Sequence, residues 1–193
     1  MLRSTRRLET VTAMPESPAA LLIVRDATED DMAVVARIYA DYVREGLATF
    51  ELMLPEAREL QARRAAILAA GLPYLVAAVG GAIAGYAYAS TYRPRPGYRY
   101  AVEDSVYVAQ ARCGRGIGRA LLEALIGRCE SGPWRQMIAV IGDSANAGSI
   151  ALHRRCGFQM VGTFRSVGYK LGRWVDTVLM QRALGAGDGC APG

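Results

Sequence analysis

An apolar run at 21–24 gives way to Thr28-Glu-Asp-Asp31, a capping box, and then to Met32, Val35, Ile38, Tyr39 and Tyr42 at helical spacing. Gly46 closes this helix. Residues 55–70 read as a second helix, opened by Pro55 and followed by Gly71. Arg58, Gln61 and Arg64 share one side of it and Leu60, Ile67 and Leu68 another. Two apolar segments, 74–79 and 82–90, flank Gly80-Gly81, which predicts a two-residue hairpin. The β-branched stretch 103–108 predicts a strand. From Gly114 a glycine-rich turn opens a helix with Leu121, Leu122, Leu125 and Ile126 on its buried side. A short apolar strand at 136–141, a helix at 146–156 stopped by Gly157, and a closing antiparallel pair at 158–170 and 174–180 complete the order. The sequence β-α-α-β-β-β-α-β-α-β-β, with hairpins as well as crossovers, predicts an α/β (α+β) fold: a mixed sheet flanked by helices.

Composition tests this pattern at one place. No charged residue lies between Arg64 and Arg93, and a stretch of that length raises the question of a membrane span, which needs about 20 apolar residues. Gly71, Pro73 and the Gly80-Gly81 pair interrupt it, and its apolar mass is mostly Ala, so it divides into a helix end and two buried strands and no membrane is expected. The chain of 193 residues is 52% apolar and 21% charged, which excludes a largely disordered protein and leaves room for one sizeable core. Residues 1–21, with Arg3, Arg6 and Arg7 but no apolar segment, read as a disordered extension, 22–184 as the folded domain, and the glycine-rich 185–193 as a flexible tail.

Charge and cysteine content narrow the partners. Basic residues number 23 against 18 acidic ones, for a net charge of +5, and only Lys170 among the cations is a lysine. The arginines are dispersed except at 93–99 and 112–119, which favours a small anionic ligand over nucleic acid. Cys113, Cys129, Cys156 and Cys190 form no CxxC pair and His153 is the single histidine, so no metal site is expected and a reducing, cytoplasmic setting is.

The chemistry concentrates in two loops. Arg112-Cys-Gly-Arg-Gly-Ile-Gly-Arg119 lies between a strand and a helix, where backbone N–H groups and the positive end of a helix dipole converge. Such a turn either binds a phosphate or simply makes a tight connection. It is not a Walker A loop, because Arg119-Ala120 follows Gly118, and it lacks the third glycine of the dinucleotide fingerprint. In Arg93-Pro-Arg95, prolines stiffen a loop from which two guanidiniums can present forks to a small anion.

The glycine turn resembles the Gln/Arg-x-x-Gly-x-Gly/Ala pyrophosphate loop of the GCN5-related N-acetyltransferases. Gly116 and Gly118 stand at its two small positions and Cys113 departs from its first. Asn146, with His153 seven residues on and Cys156-Gly157-Phe158 after it, resembles the next segment of that superfamily. Tyr98-Arg-Tyr-Ala-Val-Glu-Asp-Ser-Val-Tyr-Val108, Val140-Ile-Gly-Asp143 and Gly162-Thr-Phe-Arg-Ser-Val-Gly-Tyr-Lys170 with Trp174 are similar to the phosphinothricin and methionine sulfoximine N-acetyltransferase family.

The resemblance implies acetyl transfer from acetyl-CoA to the α-amino group of a small anionic amino acid, directly within a ternary complex of a homodimeric enzyme. By resemblance, Glu103 is the catalytic base and His153 protonates the leaving thiolate. Val106, Tyr107, Val108, Gly114, Arg115, Gly116, Ile117, Gly118, Arg119 and Asn146 would bind the cofactor. Arg93, Pro94, Arg95, Glu103, Asp104 and Ser105 would frame the substrate, with Phe50, Glu51 and Tyr98 as further candidates. The rival expectations are an acetyltransferase for another amine, such as a peptide N-terminus or polyamine, and a non-catalytic acetyl-CoA sensor. A covalent route through Cys113 lacks a recognisable activating partner.

Overall fold

A computed structural model describes residues 21–192. The expectation for the first twenty residues therefore lies outside the described part. β1 (Leu22–Asp26), β2 (Tyr74–Val79), β3 (Ala82–Thr91), β4 (Ala101–Val108), β5 (Gln136–Gly142), β6 (Gln159–Lys170) and β7 (Arg173–Ala183) form one sheet in the order β1-β2-β3-β4-β5-β7-β6. Only the β4–β5 pair is parallel. The α-helices among the described residues are α1 (Met32–Arg44), α2 (Ala57–Ala69), α3 (Ile117–Glu130) and α4 (Ala147–Arg155). This is the predicted element order and the predicted mixed sheet, mostly antiparallel, with helices on both faces.

Each sheet face has its own core, because side chains alternate along a strand. Met32, Val35, Ile38, Tyr39 and Val43 of α1 and Leu60 of α2 pack on Tyr74, Val76 and Tyr86. On the other face Leu121, Leu122, Leu125, Ile126 and Cys129 of α3 pack on Leu75, Ala77, Ala87, Val102 and Met137. Each fully buried leucine of α3 contributes about 1.5–3 kcal/mol relative to exposure. On α2, Leu60 is buried but Leu68 is 42% exposed, because one step of the helix turns it about 100° away from Ile67. At the start of α1, half of the predicted capping box forms: the Asp31 carboxylate accepts from the Thr28 N–H at 2.8 Å and takes a two-pronged bond from Arg25. Beyond β7 the chain continues through turns over buried Leu184, with the Gly187 N–H bonded to its carbonyl at 2.9 Å.

The topology makes one opening. β4 and β5 pair from Ala101↔Gln136 to Asp104↔Ala139 and then part, although β4 runs on to Val108 and β5 to Gly142. Parallel strands that diverge leave one edge of each without ladder partners, and unpaired buried peptide groups need another partner.

Candidate active site

The opening between β4 and β5 is a cleft lined by Asp104, Ser105, Val106 and Tyr107 of β4, Ala139 to Gly142 of β5, Asn146, Ser149 and His153 from α4 and its cap, and Ala48 from the loop after α1. Strand parity decides which peptide groups face it. The Ala101 carbonyl accepts from Tyr92, and the Ala109 N–H donates to Ala84, both on the β3 side. Odd positions of β4 therefore face β3 and even positions face the cleft. Of the three residues expected to meet the cofactor by backbone, Val106 offers its N–H and C=O to the opening. Tyr107 turns its peptide groups into the β3 ladder, and Val108 is engaged by Tyr42, whose hydroxyl donates to the Val108 carbonyl at 2.7 Å and accepts its N–H at 3.3 Å.

At the end of β4 the glycine turn enters α3. Gly114 and Gly116 have φ of 75° and 80°, the left-handed region that favours glycine, and a Cβ at either would meet nothing within 4 Å. The turn thus presents open backbone at the N-terminus of a 14-residue helix, which fits a pyrophosphate. Arg115 is exposed there and pairs with no group among the described residues, whereas Arg119 is bonded to Glu123 at 2.7 Å. Ile117 is buried, and Gly118 owes its small size to packing, since a Cβ would lie 3.3 Å from Leu152. Cys113 is exposed, its thiol 3.9 Å from the Val108 carbonyl. Asn146 caps α4 by accepting the Ser149 N–H at 3.2 Å and lines the cleft.

Glu103 stands one residue before the strands part, on the opposite side of the sheet from Asp104. Its carboxyl is pushed up to about 7 by burial and by the neighbouring Asp104 charge, against the opposing pull of Arg93. Ser105 lies on the same face, and Ser90 pairs with Glu103 across β3. Arg93, Pro94 and Arg95 are exposed in the loop between β3 and β4; Arg93 lies over the Tyr92 ring at 5.1 Å, and Tyr98 meets the same ring edge-on. The structure brings Arg93, Glu103 and Ser105 to one side. It does not bring Asp104 there: that side chain is buried on the other face, where Oδ2 lies 2.9 Å from Nε2 of His153. Phe50 packs over Gly168 of β6, and Glu51 is held by Arg63 at 2.7 Å.

Two further features were not read from the sequence. Beside Ser90 a cavity of about 320 Å³ opens, walled by Tyr39, Tyr74, Tyr86 and Tyr88 with Arg63 at its rim. The alternation of Tyr86, Tyr88 and Ser90 along β3 could have pointed to one shared face. Lys170, the sole lysine, is buried and donates to the carbonyls of Tyr42 at 3.2 Å and Thr49 at 2.7 Å, which fixes the loop carrying Ala48 and Phe50 over the site.

Comparison with known proteins agrees with this geometry. Residues 24–179 match the model of the acetyltransferase (GNAT) domain. The chain is 55% identical to a phosphinothricin N-acetyltransferase of Alcaligenes faecalis, over 88% of this chain and 86% of that one. It is 40% identical to an L-methionine sulfoximine/L-methionine sulfone acetyltransferase of Pseudomonas paraeruginosa, over 82% and 92%. A phosphinothricin acetyltransferase from Sinorhizobium meliloti, solved in complex with acetyl-CoA, superposes with a TM-score of 0.86 at 46% identity, covering 89% of this chain and 93% of that one. The parted strands, the glycine turn at α3 and these likenesses agree: the chain belongs to the GNAT acetyltransferases and is an acetyl-CoA-dependent N-acetyltransferase.

Proposed function

We propose that the protein acetylates the α-amino group of a small anionic amino acid analogue, such as phosphinothricin or methionine sulfoximine, by direct transfer within a ternary complex. The observation that carries this reading is the place of Glu103, a carboxyl with raised proton affinity at the point where β4 and β5 part, beside a loop bearing two arginines. Acetyl-CoA supplies an activated thioester. Around it, Gly114 to Gly116 and Arg115 would hold the pyrophosphate, and Val106 and Asn146 the pantetheine arm. Glu103 takes a proton from the substrate ammonium, directly or through water, and frees the nitrogen lone pair. As the new C–N bond forms and the C–S bond breaks, the nitrogen gives its second proton to water and a proton from His153 neutralises the departing sulfur. The names of the A. faecalis and P. paraeruginosa relatives support the substrate class.

Arg93 and Arg95 are the anion clamp in this reading. Arg95→Ala is expected to raise KM for phosphinothricin by about 10-fold or more, the loss of one charge-assisted bond, while KM for acetyl-CoA stays the same. Initial rates with each substrate varied would show this, and an unchanged phosphinothricin KM would remove Arg95 from the clamp. A panel of amino acids, N-terminal peptides and polyamines assayed by thiol release tests the class as a whole; preference for a cationic polyamine would refute it.

The same proposal includes a homodimer in the cytoplasm. β6 is an edge strand, and Val161, Phe164, Val167 and Tyr169 on it are all more than half exposed, the kind of apolar edge that a second copy covers. Light scattering should return about twice 20.8 kDa, and Val167→Glu should shift the mass toward one chain. The four cysteines are free, as a reducing compartment would leave them. No helix among the described residues is long and apolar enough to cross a membrane.

A further inference from the structure

Asp104 and His153 form a buried pair inside the cofactor cleft, with side-chain exposures of 1% and 5%. Both ring nitrogens of His153 face acceptors. Nδ1 lies 2.8 Å from the Ser149 carbonyl, which can only accept, and 3.3 Å from the Ser149 hydroxyl, which can accept as well as donate; the shorter contact to the carbonyl places hydrogen on Nδ1. Nε2 lies 2.9 Å from Asp104 Oδ2. A bare nitrogen there would set two acceptors against each other in a largely buried contact, so a second proton lies between them. Oδ1 of Asp104 is buried with no hydrogen-bond partner among the described residues, so the hydrogen bonding of this carboxylate falls on the imidazole. The Phe158 ring stands edge-on to the histidine at 5.0 Å and closes one wall.

We propose that Asp104 is a positioning residue that pins His153 in the cleft and keeps its ring doubly protonated as the acid for the departing thiolate. The proton shared with Asp104 is the mobile one, since Nδ1 is tied to the helix backbone. When it passes to sulfur the ring becomes neutral, and solvent restores the proton before the next turnover. Besides Asp104 itself, the titratable groups on this side are Cys129 of α3 and Cys156 at the end of α4, thiols that the Asp104 charge helps keep neutral, while Glu103 of β4 lies across the strand on the other face. Burial works against the charged ring, but the Asp104 hydrogen bond and charge, with the Ser149 carbonyl, outweigh it and raise its proton affinity above the ordinary value.

The device answers a conflict in the chemistry. The amine must lose a proton while the acid must keep one, and Glu103 alone cannot hold both conditions open. Raising the proton affinity of His153 moves loss of the acid to higher pH and widens the range in which both groups are ready.

This inference rests on the acetyltransferase reading for its role but not for its first test. His153 is the sole histidine, so the protein labelled at histidine gives one imidazole signal, and its titration needs no substrate. The wild-type signal should remain that of the doubly protonated ring well above pH 6.5, the ordinary value of about 6.5 being the reference. Titration at or below that value overturns the proposal. In Asp104→Asn the midpoint should fall by about one pH unit or more, and the alkaline limb of kcat should move down with it, while KM for acetyl-CoA stays within about two-fold. An alkaline limb that stays in place in this variant also overturns it. A raised wild-type midpoint in a protein that acetylates no amine would instead sink the functional reading and leave the pair's charge state standing.

Discussion

Glu103→Gln is expected to lower kcat by about 10²–10⁴-fold at pH 8 and to leave the acetyl-CoA dissociation constant unchanged. Glutamine keeps the size of the side chain and its place at the parting of β4 and β5, so the cleft built from Val106, Asn146 and the glycine turn stays intact. Only the capacity to take a proton is lost, equivalent to about 3–5 kcal/mol of barrier. The pH dependence supplies an independent check with a definite sign. Because burial and the Asp104 charge push the Glu103 carboxyl up to about 7, the group is protonated and inactive as a base below that value. Activity should therefore rise with pH through about 7 and level off above it, whereas a carboxylate at its ordinary value of 4.5 would give no such limb in that range. In Glu103→Gln the limb should disappear from the residual rate. Near-normal kcat in the variant, or a wild-type profile flat from pH 6 to 8, would remove Glu103 from its role.

Much of the fold was legible because the periods were clean. Met32, Val35, Ile38 and Tyr39 mark α1, and Leu121, Leu122, Leu125 and Ile126 mark α3, since each set is one buried face of a helix. The charge-free stretch resolved into α2's end, β2 and β3 because Gly80-Gly81 allows only a hairpin between two buried strands. The site was read in part. The resemblance places Glu103 and Asp104 together at the substrate, yet neighbours in a strand point to opposite faces; parity separates the carboxylate beside the arginine loop from the one bonded to His153. What no local pattern contains is contact across long separations. The Tyr42 hydroxyl reaches Val108, and Lys170 reaches back to Tyr42 and Thr49, and these bonds shape the cleft from residues whose own segments read as an ordinary helix face and strand end. The same holds for Gly168, whose missing side chain is filled by the Phe50 ring.

Gly142→Ala is expected to damage both stability and turnover although it adds one methyl group. Gly142 ends β5 beside the cleft, and a Cβ there would lie 2.2 Å from the Leu47 carbonyl oxygen and 3.2 Å from the Ala48 Cα. Both are backbone atoms, so no rotamer change relieves the contact and the loop after α1 must move. That loop is tied down elsewhere: Lys170 donates to the Thr49 carbonyl, the Tyr39 and Thr49 hydroxyls lie 3.0 Å apart, and Phe50 fills the space over Gly168. The methyl group therefore either breaks these anchors or displaces Ala48 from the cleft wall. Overpacking of this kind costs about 1–3 kcal/mol, which for a domain of this size lowers Tm by several degrees. Because small misplacements at a reacting centre are amplified, kcat/KM should fall by about 10-fold or more. Gly127→Ala on α3 is the matched control: its Cβ meets nothing within 4 Å, and replacing a helix glycine by alanine should stabilise by about 0.5–1 kcal/mol with activity kept. The measurement is Tm and kcat/KM for both variants side by side. If Gly142→Ala behaves like Gly127→Ala, the loop is not pinned against β5 and does not set the geometry of the cleft.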